Sequence, residues 1–184
     1  MSRTMLGLTW GLVLLAGCKD KQGASPIDEG DATMQLTSNA FHEGGTIPQK
    51  HTADGKDVSP QLGWIGAPAG TKSFALICDD PDAPRGTWTH WLLYNLPADH
   101  PELTEAIPTH DTLPNGARQG KNSFDKIGYG GPSPPKGNPH RYFFRVYALD
   151  AQLDLPAGAS KPQLERAMEG HVLARGELMG KYGR

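Results

Sequence analysis

The sequence predicts a mainly β protein, built as an antiparallel sandwich of two sheets with one or two peripheral α-helices. Of its 184 residues, 23 are glycine and 16 are proline, a composition typical of many turns. Residues 140–149 alternate between two faces with the period of a strand. Only one segment carries clear helix signals, and no alternation of strands with helices runs along the chain. An antiparallel arrangement is therefore favoured over a parallel α/β sheet.

The other elements follow from local patterns. Ser160 and Gln163 form a capping-box pattern, so a helix is expected to begin at Ser160, and Gly170 is expected to end it. Residues 171–178 fit either a last strand or a second short helix, and residues 96–127 are expected to form one long irregular loop. Further strands are expected at residues 34–38, 47–52, 59–64, 73–78 and 88–95.

The N-terminus has the pattern of a signal peptide, with Arg3 ahead of an apolar stretch at residues 5–15. That stretch is too short to span a bilayer as a stable helix. The sequence Leu15-Ala-Gly-Cys18 resembles the lipobox of bacterial lipoproteins, which implies cleavage before Cys18 and lipidation of its thiol. The alternative is an ordinary secretory signal with a chance cysteine.

These features predict a chain of three parts: a signal peptide at residues 1–17, lipidated Cys18 with a flexible tether at residues 18–32, and a folded domain at residues 33–184. The expected location is a bacterial cell envelope, with the domain outside the cytoplasm and held on a membrane by lipid. Lys19 does not resemble a retention signal, which mildly favours the outer membrane. With a net charge of -2 and no cluster of lysine and arginine, the chain is not expected to bind nucleic acid.

Carboxylates follow the apolar strand at residues 73–78, where prolines stop the sheet ladder. Asp79 and Asp82 are expected to have structural roles, Asp82 by pairing with Arg141, although Asp82 competes with Asp80 for a place in a site. Strict alternation would place on one face of the next strand Trp88, His90, Leu92 and Tyr94.

A second segment completes the expected site. His140 and Tyr142 share one face of their strand, and Pro134 and Pro135 precede them as rigid apolar walls. With His90, these residues predict a small pocket that holds two imidazoles, a phenol and a carboxylate. Imidazoles, a phenol and glycine-rich backbone donors suit a phosphate-like anion. A carboxylate would repel that anion unless it pairs with a protonated histidine or faces a cationic part of the ligand, as in phosphoethanolamine.

Other uses of the same residues stay open. Asp80, His90 and His140 are a metal-ligand set by type, but their spacing gives no support, so no metal and no other cofactor is expected. The same three residues could act in a weak hydrolase, although no nucleophile motif accompanies them.

Two motifs in this region resemble the signatures of the phosphatidylethanolamine-binding proteins. The first is Asp80-Pro-Asp-Ala-Pro84 with Trp88-Thr-His90-Trp, and the second is Gly128-Tyr-Gly-Gly-Pro-Ser-Pro-Pro135 with His140-Arg-Tyr142. The match is nearest to the bacterial Raf kinase inhibitor-like branch and extends from Met34 to the C-terminus.

The resemblance implies a two-sheet sandwich and a pocket for an anion or a phospholipid head group. It implies that the pocket is lined by Asp80, His90, His140 and Tyr142, with walls from Pro84, Trp88, Pro134 and Pro135. We therefore expect a membrane-tethered, non-catalytic binding protein. A protein partner bound at the pocket rim, as by an inhibitor or scaffold, is the first alternative, and a homodimer also stays open.

Overall fold

The computed structural model describes residues 32–184, so the expected signal peptide, the lipidation site at Cys18 and the tether before Ala32 lie outside the described residues. In chain order the elements are β1 (Ala32–Thr33), β2 (Gln35–Thr37), a 3₁₀ turn (Gln49–His51), β3 (Leu62–Ile65), β4 (Ser73–Asp80), β5 (Trp88–Pro97), β6 (Glu102–Leu103), β7 (Arg118–Gln119), β8 (His140–Leu149), α1 (Lys161–Met168) and β9 (Val172–Tyr182). One sheet has the order β1-β9-β8-β4-β5-β7, and the other has the order β2-β3-β6.

The core lies on both faces of the larger sheet. The smaller sheet packs on one face, where Trp64 meets Phe74 with ring centroids 5.1 Å apart. Helix α1 packs on the other face through Leu164 and Met168. Strand β4 is buried at every position as a result, which explains why its sequence is a continuous apolar run rather than an alternating one.

Several expected elements are confirmed. Strand β8 spans residues 140–149 as expected, and the backbone N–H of Ser160 donates to Oε1 of Gln163 at 2.9 Å at the start of α1. Gly170 follows the helix in a left-handed conformation with φ +74°. Residues 171–178, which fitted a strand or a helix, lie almost wholly in β9.

Three expectations about the strands are wrong in part. The sandwich is not wholly antiparallel, because β1 pairs with β9 in parallel. Residues 47–52 turn through the 3₁₀ helix at Gln49–His51 instead of forming a strand. Strand β3 begins only at Leu62, since Pro60 has no N–H to donate to a sheet ladder.

A β-bulge in β5 overturns the expected alternation of residues 88–95. The register changes between two pairs, Cys78 with Trp91 and Asp79 with Thr89, so His90 is an additional residue. A bulge moves the alternation of side chains by one position. The His90 ring consequently faces Tyr142 on the side of the core between the sheets, while Leu92 packs on the side of α1.

The segment at residues 96–127 is more regular than the single loop that the sequence predicts. It contains β6 and β7, and the buried side chain of Gln119 ties it to the sheet. The indole N–H of Trp91 donates to Oε1 of Gln119 at 2.7 Å, and Nε2 of Gln119 donates to the carbonyls of Pro108 and His110, each at 2.7 Å. One amide thus organises the segment beside β5.

A buried ion pair joins α1 to β4. The Asp79 side chain is 3% exposed, and its carboxylate accepts from Nζ of Lys161 at 2.6 Å and from the hydroxyl of Thr89 at 2.9 Å. The Arg145 guanidinium lies 3.9 Å from the same carboxylate. These contacts support the structural role that the sequence suggests for Asp79.

Replacement of Lys161 by methionine should lower the free energy of unfolding by about 2–3 kcal/mol, because a buried carboxylate loses its nearest cation. Chemical denaturation of Lys161→Met measures the loss. Arg166→Met, which removes an exposed charge from the same helix, is the control and should change stability by less than about 0.5 kcal/mol. Equal effects of the two variants would contradict a stabilising role for the Asp79–Lys161 pair.

Candidate functional site

Asp80, the last residue of β4, forms a hydrogen bond with His140, the first residue of β8. Its Oδ2 accepts from Nδ1 of His140 at 2.8 Å, and its Oδ1 accepts from the backbone N–H of Asp82 at 2.8 Å. The Asp80 side chain is 5% exposed. Because an ionised carboxylate only accepts hydrogen bonds, the proton lies on Nδ1 of the imidazole. Nε2 of His140 is left to face the site.

His90 occupies the bulge in β5 and is held in the same manner. Its Nδ1 donates to the carbonyl of Gly130 at 2.6 Å, and the Gly130 N–H donates back to the carbonyl of His90 at 2.9 Å. Burial lowers the pKa of His90 below its usual 6.5, although the carboxylate of Asp80 acts in the opposite direction. In the neutral ring Nε2 is an acceptor, and on protonation it becomes a donor.

Tyr142 brings an unpaired hydroxyl to the two histidines. Its ring lies 5.1 Å from the His90 ring at 82°. The hydroxyl is buried and has no hydrogen-bond partner among residues 32–184. Burial, and after it the negative charge of Asp80, raises the pKa of Tyr142 above the usual range of a phenol. The hydroxyl therefore keeps its proton, and although the Asp80 carboxylate lies near it, no group among residues 32–184 accepts from it with hydrogen-bond geometry.

The four polar residues expected from the sequence are thus brought together, namely Asp80, His90, His140 and Tyr142. The expected walls differ in exposure: Pro134 is buried, Trp88 is half-buried, and Pro84 and Pro135 are exposed. The indole N–H of Trp88 is a second buried donor without a partner in the described part of the chain. A cavity of about 220 Å³ beside the site is lined by Ala83, Pro84, Arg85 and Trp88.

Asp82 lies outside this group and pairs with Arg141, as the sequence suggests. Nε and Nη2 of Arg141 donate to its carboxylate at 2.9 and 2.7 Å, and the backbone N–H of Arg141 adds a third bond at 2.9 Å. The hydrogen bonds from the Arg141 side chain lower the pKa of Asp82 to about 2. This pair fastens the turn after β4 to the start of β8, which keeps Asp80 beside His140.

Sequence reasoning missed Phe124, Arg184 and the carbonyl of Gly130. Phe124 packs against the His90 ring, with centroids 5.4 Å apart. Arg184 donates to the carbonyl of Pro134 at 3.2 Å and forms a two-pronged ion pair with Asp54, at 2.6 and 2.7 Å. Gly130 lies inside a quoted motif and could have been found there. Neither Phe124 nor Arg184 shows a local pattern that would have marked it.

Among residues 32–184, no group of three or more histidine, cysteine, aspartate and glutamate side chains is placed to hold a metal ion. No helix within that range is both long enough and apolar enough to cross a bilayer.

Comparison with known proteins assigns the chain to one family. Residues 37–183 match the family model described as phosphatidylethanolamine-binding protein. A UPF0098 protein of Methanothermobacter thermautotrophicus is 52% identical over 151 residues, which cover 82% of this chain and 99% of that protein. The UPF0098 protein YbhB of Escherichia coli is 40% identical over 157 residues, covering 81% and 99%. The chain therefore belongs to the phosphatidylethanolamine-binding protein family.

Solved structures agree with this assignment. A phosphatidylethanolamine-binding protein homologue from Chlamydia trachomatis superposes with a TM-score of 0.75 at 42% identity, covering 83% of this chain and 98% of that one. YbcL of E. coli, described as a new member of the mammalian PEBP family, superposes with a TM-score of 0.77 at 36% identity, covering 83% and 99%. The two-sheet fold is thus the fold of the family.

The lowered pKa of His90 gives a test of the site by pH. Because the unfolded chain takes up this proton at a higher pH than the folded protein does, His90 should remove stability as the pH falls from 7 to 5. His90→Gln should flatten this part of the stability curve, measured by chemical denaturation at each pH. His42→Gln, at an exposed position, is the control. Parallel curves for the wild type and His90→Gln would contradict the burial of a neutral imidazole.

Proposed function

We propose that this protein is a non-catalytic binding protein whose pocket takes a phosphate-like anion, including a phosphoethanolamine-type head group. The observation that carries the proposal is the buried Tyr142 hydroxyl, which lies near the Asp80 carboxylate and the His90 ring and makes no hydrogen bond of good geometry within residues 32–184. A buried polar group without a partner is rare in native proteins, and its usual explanation is a ligand, an ion or a water molecule. An anionic oxygen would accept from this hydroxyl.

The histidines suit the same ligand. Nδ1 of each ring is already committed, to Gly130 in one case and to Asp80 in the other, so Nε2 is the atom that each ring offers. An anion at this point would stabilise the protonated form of His90, which burial otherwise disfavours. Binding of phosphate should therefore be coupled to proton uptake at His90.

Asp80 has a positioning role in this proposal. Each of its two carboxylate oxygens already accepts one hydrogen bond, from the His140 ring and from the backbone of Asp82. The carboxylate is therefore already engaged by donors from the protein. The Asp80 carboxylate fixes the orientation of the His140 ring and keeps a proton on its Nδ1.

A catalytic use of the site has less support. Hydrolysis by covalent catalysis needs a nucleophile within reach of a base. Burial raises the pKa of the Cys78 thiol well above its usual value, so this cysteine is not activated. We accordingly infer binding without turnover. The alternative of a protein partner at the rim, within residues 96–127, becomes the first to pursue if neither histidine responds to phosphate or phosphoethanolamine.

We also propose that the mature chain begins with a lipidated Cys18 and is held on a membrane of a bacterial envelope, with the outer membrane favoured. The lipobox-like sequence Leu15-Ala-Gly-Cys18 carries this proposal. Within its family we assign the chain to the bacterial Raf kinase inhibitor-like branch, on the two motifs that contain His90 and His140. No kinase inhibition is transferred with that assignment.

Tyr142→Phe separates binding from folding. Loss of the hydroxyl should weaken the binding of inorganic phosphate by about tenfold or more, because a hydrogen bond to a charged group is lost. The free energy of unfolding should stay the same or rise, since a buried donor without an acceptor is removed. NMR titration at the His90 and His140 side chains measures the first, and chemical denaturation the second. Unchanged binding together with lower stability would contradict the proposal.

Cys18→Ser tests the anchor in the full-length chain, expressed in a bacterial host. The wild type should fractionate with membranes and carry the added mass of lipid on Cys18, because acyl chains hold a protein at a bilayer. The variant should be released from the membrane fraction. If the wild type is also released and its mass shows no lipid, the lipoprotein proposal is wrong.

A further inference from the structure

Phe124 is an exposed aromatic side chain at the edge of the site. It is 37% exposed and, with Ile65, makes up the large apolar side chains that are exposed within residues 32–184. Its ring lies 5.4 Å from the His90 ring and 5.4 Å from the Trp88 ring, at 72° to each. Phe124 thus stands between a wall of the pocket and one of its imidazoles.

The turn that carries Phe124 is fixed by the side chain of Asn122, which is 5% exposed. Oδ1 of Asn122 accepts from the N–H groups of Phe124 and Lys126 at 3.0 and 3.1 Å, and Nδ2 donates to the carbonyl of Gly128 at 2.9 Å. The next residue, Ser123, bonds to Thr89 of β5 through its backbone and its hydroxyl, each at 2.9 Å. The exposed ring is therefore held in place by the backbone.

The ring also packs closely on the segment that holds His90. A Cβ atom at Gly130 would lie 2.9 Å from Cδ2 of Phe124, so only glycine leaves room for this ring. Gly130 is the residue whose carbonyl accepts from His90. The part of Phe124 that faces outward is consequently a fixed apolar surface beside the His90 ring.

The exposed part of the Phe124 ring is available to contact the organic part of a ligand. Asp80 already accepts two hydrogen bonds, whereas the buried N–H of Trp88 has no acceptor in the described chain. The cavity of about 220 Å³ continues from Trp88 to Pro84 and Arg85. An anion at the histidines would therefore place its substituent along the rings of Phe124 and Trp88.

We infer that Phe124 determines the specificity of the pocket by selecting phosphate monoesters with an apolar substituent over inorganic phosphate. The inference rests on the proposed function, because it requires the anionic group to lie at His90 and His140. The substituent packs on the exposed part of the Phe124 ring. The ring contributes by removal of apolar surface from water.

The test compares inorganic phosphate with n-butyl phosphate, titrated at one pH into the wild type and Phe124→Ala and followed by NMR at the histidine side chains. The wild type should bind n-butyl phosphate more tightly than phosphate, by about fivefold. Phe124→Ala should bring this ratio close to one, whatever its effect on the affinity for phosphate itself. Phe124→Leu should keep an intermediate ratio, because it restores part of the apolar surface.

Ile65→Ala is the matched control, since it removes the other large exposed apolar side chain from β3 in the smaller sheet. It should leave the ratio of the two affinities unchanged. If Phe124→Ala keeps the wild-type ratio, or weakens both ligands equally, the inference is overturned while the anion site stands. If neither ligand perturbs His90 or His140 in the wild type, the proposed function and the inference are both overturned.

Discussion

Two neighbouring carboxylates at the end of β4 need cations or donors on opposite faces of the same sheet. Asp80 finds His140 on the side of the core between the sheets, and Asp79 finds Lys161 on the side of α1. A buried carboxylate without a partner is strongly unfavourable, so each pairing restricts where the partner element can pack. The position of α1 and that of the site are in this way set by successive residues of one strand.

The bulge in β5 brings His90 to the same end of the sheet as Asp80. With regular alternation, His90 would lie on the same side as Leu92, which packs towards α1. The additional residue instead turns the imidazole towards Tyr142 and towards the carbonyl of Gly130. A sheet that is buried on both faces can thus turn a histidine at its end away from α1 and towards the site.

The sequence was sufficient for the elements whose causes are local. The alternation of β8 and the capping pattern at Ser160 depend on near neighbours along the chain, and both were found where expected. The four polar residues of the expected site also lie close together in the structure, because they stand at strand ends within two compact motifs. Their hydrogen-bond partners come from segments 40 and 60 residues away, and these were found only in part.

What could not be predicted depends on contacts between distant segments. The bulge at His90 arises from the register between two strands, and the 3₁₀ turn at Gln49–His51 replaces a strand although the residues would suit either. Phe124 looks like an ordinary loop residue until the turn made by Asn122 places it against His90. Such features follow from pairing and packing, which a single sequence does not display.

The parallel strand β1 has a geometric consequence for how the domain is approached. Ala32 pairs with Ala174 near one end of β9, whereas His140 pairs with Tyr182 at the other end. At the rise of a β-strand these two ends are roughly 26 Å apart. The chain before Ala32, with anything joined to it, therefore enters the domain at the end of β9 remote from His140.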